Sequence, residues 1–185
     1  MELEETAIEG LFIIHRKFIS DSRGVFSRLF AEDELELAGR PTRAVHVNTS
    51  TSPEAATLRG IHFQYPPYSE AKIVSCTNGK LWDVAVDLRP NSPTRFQWHG
   101  IMLSPGEPTS FLIPEGCAHG FITLEPHSTI LYIVSNTYAP SHESGVRFDD
   151  TMLSIDWPVA PNLISDKDRR WPSLQSQIPE INRKL

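Results

Sequence analysis

Residues 128–138 read STILYIVSNTY, and their apolar positions recur at every second residue. That period belongs to a strand, because successive side chains of extended backbone point to opposite faces. Ile130, Tyr132, Val134, Asn136 and Tyr138 share one face. Upstream the same pattern repeats in LFIIHRKF (11–18), RAVHVNTS (43–50), AKIVSCT (71–77), KLWDVAVDL (80–88), RFQWHGIML (95–103), SFLIP (110–114) and GFITLE (120–125). All are rich in the β-branched and aromatic residues that suit a pleated surface. TLRGIHFQ (57–64) reads as buried strand interrupted by one histidine. Turn signals separate these stretches, and Asn78-Gly79 is the strongest hairpin signal among them. One stretch, Phe30 to Gly39, reads as helix, with an acidic run and a glycine at its end. Many short strands at near-regular spacing predict an all-β sandwich or barrel. After Trp157-Pro158 the pattern fades into a polar tail with room for a short helix.

Composition narrows the class. The 185 residues fit one domain, with a core over about residues 10–158 and a tail over 159–185. The net charge is −6 and no Lys/Arg run stands out, which argues against nucleic acid as partner. The acidic start MELEETAIEG lacks the basic-then-apolar form of a signal peptide. No apolar run nears the roughly 18 residues that span a membrane, so a cytoplasmic protein is expected. Cys76 and Cys117 sit in apolar contexts and are expected as reduced core thiols.

Alternation also places polar groups. His62 and Gln64 share one face of their strand, with Ile61 and Phe63 on the other. Lys72 lies with Val74 and Cys76. A charged lysine on an apolar face is costly unless it has a partner or lines a wet cavity. Several such faces around one barrel predict a polar-lined cavity. His62 is then either a satisfied core side chain or a working group. Pro114-Glu115-Gly116-Cys117-Ala118-His119 has the P-x-G-x-x-H form that supplies a histidine ligand in metal-binding cupins. The earlier strand offers only His62 and Gln64 beside it, a poor set for zinc or iron. No metal is expected, which leaves both histidines for proton transfer or hydrogen bonding.

Eight ordered blocks carry a family resemblance: DSRGVFSRLF, VHVNTSTS, LRGIHFQYPP, KLWDVAVDLRPNSPT, IPEGCAHGF, LYIVSNTYAPSHESGVRFDD, SIDWP and ISDKD. Together they resemble the dTDP-4-dehydrorhamnose 3,5-epimerase family over most of the chain. The resemblance implies a double-stranded β-helix, a jelly-roll (cupin-like) barrel with short peripheral helices and no cofactor. It implies an isomerase that inverts C3 and C5 of dTDP-4-dehydro-6-deoxy-D-glucose. It also implies a homodimer in which part of each site comes from the other subunit. By the same resemblance His62 is the base, Asp168 its orienting carboxylate, Tyr132 the acid and Tyr138 a platform for the nucleotide base. Phosphate and sugar contacts fall on Arg23, Arg59, Lys72, His119, Glu143 and Lys167. Two blocks depart from the family pattern: Arg28 stands where a glutamate is usual, and His46, two residues before Asn48, where a glutamine is usual. Both blocks face the nucleotide end of the substrate in the family, so the nucleotide is left open.

The residue types suit the chemistry. The C4 carbonyl of a nucleoside-diphosphate 4-keto-6-deoxy sugar acidifies the hydrogens on C3 and C5. Histidine titrates near neutrality and can take such a proton. A neighbouring carboxylate orients the ring and steadies the imidazolium. Lys72 supplies positive charge for an enolate oxygen, Tyr132 a proton for the opposite face, and Arg23 and Arg59 forked donors for phosphate. Alternatives stand beside these roles. Lys72 could be a solvent-facing rim residue, Tyr132 a barrel-end cap, Asp168 part of a solvated turn, and Glu143 a local partner of Arg147. Trp82, Trp98 and Trp157 read as packing residues. Inversion at a single centre, a non-catalytic sugar-nucleotide binding barrel and a metal cupin oxygenase are the competing functions.

Overall fold

A computed structural model describes residues 1–37 and 43–185 of the chain. Its elements in order are β1 (Glu2–Glu5), β2 (Phe12–His15), β3 (Phe18–Asp21), β4 (Gly24–Ser27), α1 (Glu32–Leu37), β5 (His46–Ser52), β6 (Thr57–Gln64), β7 (Lys72–Asn78) and β8 (Leu81–Asp87). There follow β9 (Trp98–Leu103), β10 (Thr109–Ile113), β11 (Cys117–Thr123), β12 (Ser128–Val134), β13 (Glu143–Gly145), β14 (Leu163–Ile164), α2 (Asp166–Arg169) and α3 (Leu174–Lys184). Two sheets dominate. One has the order β1-β2-β10-β7-β12-β5, the other β13-β6-β11-β8-β9, with β14 added to β6. From β5 onward most successive strands alternate between them, which makes an all-β barrel, as the strand spacing predicted, of the jelly-roll type that the family resemblance implied.

The core forms where the inner faces meet. Val74, Phe111 and Ile130 from the first sheet pack against Leu81, Ala85 and Leu103 from the second. Outer faces are covered as well. Leu35 of α1 joins Ile14, Ile73 and Ile133 on the first sheet. Leu174 and Ile181 of α3 cover Ile61, Phe63 and Val146 on the second. Every residue of β8 and β11 is therefore buried. The even parity of β6 survives this: Ile61 and Phe63 face the tail helix, and His62 faces inward. Cys76 and Cys117 are free and buried, and burial pushes their thiols up to about 11 and about 12. No helix among the described residues is long and apolar enough to cross a membrane.

Four expectations change. Asn78-Gly79 closes no hairpin. β7 pairs with β10 and β12, whereas β8 pairs with β9 and β11, so the turn hands the chain from one sheet to the other. Gly79 has φ +70°, and a Cβ there would lie 2.4 Å from Ser128 Oγ. That same hydroxyl accepts from Lys80 N and laces the corner. The stretch 11–18 is not one strand. β2 stops at His15, and Phe18 opens a separate two-stranded hairpin, β3–β4, which alternation did not separate. β12 ends at Val134 rather than running to Tyr138. There Asn136 leaves the ladder and donates to the carbonyls of Pro67 and Ser69. The first helix spans Glu32–Leu37, and the expected cap at Gly39 lies outside the described residues.

The loop after β8 is built on one carboxylate. Asp87 has 0% exposure. It accepts from Arg89 N, Nε and Nη2, from Ser92 Oγ and from Thr94 Oγ1. Burial raises this carboxyl, but those donors outweigh it and hold it below the usual carboxylate range. A depressed folded value contributes stability above the unfolded value and loses it as pH falls through the folded one. Asp87→Asn should therefore cost about 2–4 kcal/mol at pH 7 by urea unfolding. The gap to the parent protein should narrow below about pH 4; a gap independent of pH would contradict this account of the loop.

Candidate active site

The inner ends of β6, β11, β7 and β12 enclose the site. β6 and β11 approach unusually closely. A Cβ on Gly60, at φ +121°, would lie 2.6 Å from Gly120 Cα and 2.9 Å from the His119 carbonyl oxygen. The register shifts between His119 and Phe121, a bulge that re-aims side chains. His119 and His62 are direct cross-strand partners, so both imidazoles point from one sheet into the interior.

Each imidazole is backed by a carboxylate. His62 Nε2 lies 2.5 Å from Asp168 Oδ1. Asp168 comes from α2, whose first turn is capped by Ser165, its side chain accepting from Asp168 N at 3.1 Å. Gly60 N donates to the other carboxylate oxygen at 3.3 Å. Asp168 is only 4% exposed. Burial raises its carboxyl, but the hydrogen bonds from His62, Gly60 and the Ser165 turn prevail and hold it below the usual range. The carboxylate therefore stays ionised and accepts from Nε2, leaving Nδ1 of His62 as the free nitrogen. His119 Nε2 sits 3.0 Å from both oxygens of Asp83. Asp83 is fully buried on β8, and that burial pushes its carboxyl up.

The first sheet contributes the opposite wall. On β7–β12, Val134 stands across from Lys72 and Tyr132 across from Val74, so Lys72 and Tyr132 are diagonal neighbours on one face. Lys72 is 9% exposed and its Nζ lies 3.2 Å from a Glu70 carboxylate oxygen. It is no rim lysine. Burial first, and Glu70 second, raise the Tyr132 phenol above its ordinary value. Its hydroxyl makes no hydrogen bond to a described residue.

Two adjoining cavities meet at this point. One, of about 540 Å³, is lined by Arg59, His119, Phe121, Lys167 and Asp168 among others. The other, of about 370 Å³, is lined by His46, Asn48, Glu70, Tyr138 and Glu143. His62, Lys72 and Tyr132 line both. At the outer edge Tyr138 donates to Glu143 at 2.8 Å and Lys167 donates to both Glu143 oxygens at 2.6 Å.

Eleven of the residues singled out in the sequence are thus gathered along one groove: His62, Tyr132, Asp168, Lys72, Arg59, His119, Tyr138, Glu143, Lys167, Asn48 and His46. Arg23 and Arg28 are not. Arg23 tips the β3–β4 hairpin, 88% exposed and paired with Asp21 at 2.5 Å. Arg28 pairs with Glu34, which also holds the N-terminal amine. Glu143 pairs with Lys167 rather than Arg147, which bonds Asp149. Asp168 is buried, not part of a solvated turn. Gln64 spends its amide on main chain, donating to Tyr68 and Thr137 carbonyls and accepting from Ala139 N. Sequence reasoning missed Asp83, Glu70 and Trp171. An aspartate inside the all-apolar run LWDVAVD was the available signal for Asp83. Nothing in the alternation marked Glu70 or Trp171.

Comparisons with known proteins identify the family and the fold. A family model described as dTDP-4-dehydrorhamnose 3,5-epimerase matches residues 5–176. The dTDP-4-dehydrorhamnose 3,5-epimerase of Sinorhizobium fredii is 38% identical over 179 residues, which are 94% of this chain and 92% of that protein. The crystal structure of the Bacillus anthracis dTDP-4-dehydrorhamnose 3,5-epimerase, with TDP and PPi bound, superposes with a TM-score of 0.90 at 40% identity. It covers 94% of this chain and 99% of that one. A 3′-monoepimerase from Streptomyces bikiniensis in complex with dTDP-quinovose superposes with a TM-score of 0.89 at 31% identity, covering 96% and 90%.

The buried His119–Asp83 contact gives a test of its own. Asp83→Ala leaves a largely buried imidazole nitrogen without its partner and should cost about 3 kcal/mol in urea unfolding. In a double-mutant cycle with His119→Ala, the two losses should fall short of additivity by about 1 kcal/mol or more. Strict additivity would mean that the pair is not coupled.

Proposed function

The chain belongs to the dTDP-4-dehydrorhamnose 3,5-epimerase family, an isomerase family, and from that premise we propose that it inverts both C3 and C5 of dTDP-4-dehydro-6-deoxy-D-glucose. One observation carries the reading: His62 from one sheet and Tyr132 from the other border the same junction between two cavities, with Lys72 beside Tyr132. A hexose in that junction has a base on one side and an acid on the other.

The steps balance with side chains alone. His62 Nδ1 takes the proton from C5 or C3, and the electron pair moves into the C4 carbonyl as an enolate. The Lys72 ammonium, itself largely buried, stabilises the oxyanion with charge already in place. Ionised Asp168 steadies the imidazolium. Tyr132 keeps its proton at neutral pH, as a phenol with an ordinary value of about 10 does and as burial further favours, and it delivers that proton to the opposite face of the carbon. Solvent then resets both groups. The reaction consumes no cofactor. Arg59 and Lys167 supply positive charge for a diphosphate, His119 offers it a further polar contact, and Tyr138, 57% exposed, offers a face for the nucleotide base.

The reading includes a homodimer. The β3–β4 hairpin shows Ile19, Val25 and Phe26 at 60% exposure or more, an apolar surface that a second copy would cover. Arg23 at its tip, remote from its own cavity, would then reach the partner's.

His62→Ala should cut solvent deuterium uptake at C3 and C5 by about 10²–10⁴-fold. Tyr132→Phe should leave uptake measurable while inversion drops by a similar factor. Uptake unchanged in His62→Ala would refute the base. Uptake at one carbon only, followed by NMR with dTDP-, CDP- and GDP-linked sugars, would assign a single-centre epimerase and its nucleotide. Val25→Asp with Phe26→Asp should sediment as a monomer with lowered kcat/KM; a fully active monomer would refute the shared site.

A further inference from the structure

Beside His62, on the face of the sheet that the imidazole occupies, lies an indole that is not among the residues lining either cavity. Trp171 packs against the imidazole with ring centroids 6.1 Å apart and planes at 68°. Its seat is Gly145, the direct cross-strand partner of His62 on β13. A Cβ on Gly145 would lie 2.3 Å from Trp171 Cε2 and 2.5 Å from Nε1. The indole therefore fills the place where a side chain opposite His62 would stand. Residue 145 is held in turn by the tail, with Gln177 donating to its carbonyl at 3.0 Å. Lys167, already bonded to Glu143 on the same strand, places its ammonium 5.6 Å from the Trp171 ring centroid.

We infer that Trp171 is a positioning residue for the His62 base, fixing the ring plane that Asp168 alone leaves free. A single hydrogen bond from Nε2 to a carboxylate sets one vertex of the imidazole but permits rotation about that contact. A ring packed edge-on beside the imidazole removes the rotation, and with Asp168 it confines Nδ1 to one direction. Both devices come from one short stretch: Asp168 and Trp171 are three residues apart, so docking of the tail delivers them together. The indole N–H is buried and makes no hydrogen bond to a described residue. The ring is thus held by shape, and a phenyl ring is an adequate substitute. The role rests on the reading of His62 as base, because positioning matters only if Nδ1 takes the proton.

Three variants test it, with His62→Asn as reference. Trp171→Ala removes the ring. Gly145→Ala leaves the ring in the chain but displaces it. Trp171→Phe keeps an aromatic edge. The first two should lower kcat about 10–100-fold with KM within about twofold, and Trp171→Phe should recover most of the loss. The His62 ring resonances, assigned by their absence in His62→Asn, should broaden or shift in Trp171→Ala and Gly145→Ala only. Should Trp171→Ala not fold, Gly145→Ala and Trp171→Phe decide the matter. Unchanged kcat and unchanged ring resonances in Gly145→Ala, with turnover abolished in His62→Asn, would overturn the inference while sparing the base. Turnover surviving in His62→Asn would overturn the base, and this role with it.

Discussion

The contact between His62 and Asp168 joins residues 106 positions apart, and the chemistry of the groove depends on it. A carboxylate buried to 4% exposure is expensive unless it is both paired and hydrogen-bonded. Here the imidazole, the Gly60 amide and the Ser165 turn meet that demand. The cost of leaving either partner alone makes the arrangement cooperative. The tail must dock for the carboxylate to arrive, and the close β6–β11 approach at Gly60 and Gly120 must form for the amide to meet it.

Division of labour between the sheets follows from the barrel. One sheet carries both imidazoles, each with its own carboxylate. The other carries the cation and the phenol as diagonal neighbours. Because the sheets face each other across a cavity, the imidazoles line it from one side and the ammonium and phenol from the other. The two carboxylates differ in environment. Asp168 is held below its ordinary range by donors, whereas Asp83 is pushed up by burial. One family can host more than one stereochemical outcome on such a frame, as the matching 3′-monoepimerase shows.

Much of this was legible in the residues. Period-two patterning located most of the strands, because β-branched and aromatic residues recur at alternate positions between turn signals. It misled wherever neighbours outside the strand decided the outcome. Asn78-Gly79 encodes a sharp turn, but whether that turn closes a hairpin depends on which strands lie beside β7 and β8. Tyr138 continues the alternation of β12 in sequence, yet Asn136 finds carbonyl partners that break the ladder first. The family blocks assembled eleven groove residues, while Arg23, at the hairpin tip beside Asp21, and Arg28, paired with Glu34, stayed outside. Asp83, inside an all-buried strand, gave no periodic signal of its own. Trp171 was silent because its importance lies in a glycine opposite His62, a relation visible only in the register.

The most direct test is a crystal structure with a bound dTDP-linked 4-keto sugar or a stable analogue. The account expects the hexose at the junction of the cavities, His62 Nδ1 facing C5 or C3 from one side, Tyr132 on the other and Lys72 at O4. A sugar lying with both rings on the same face, or outside the junction altogether, would contradict it.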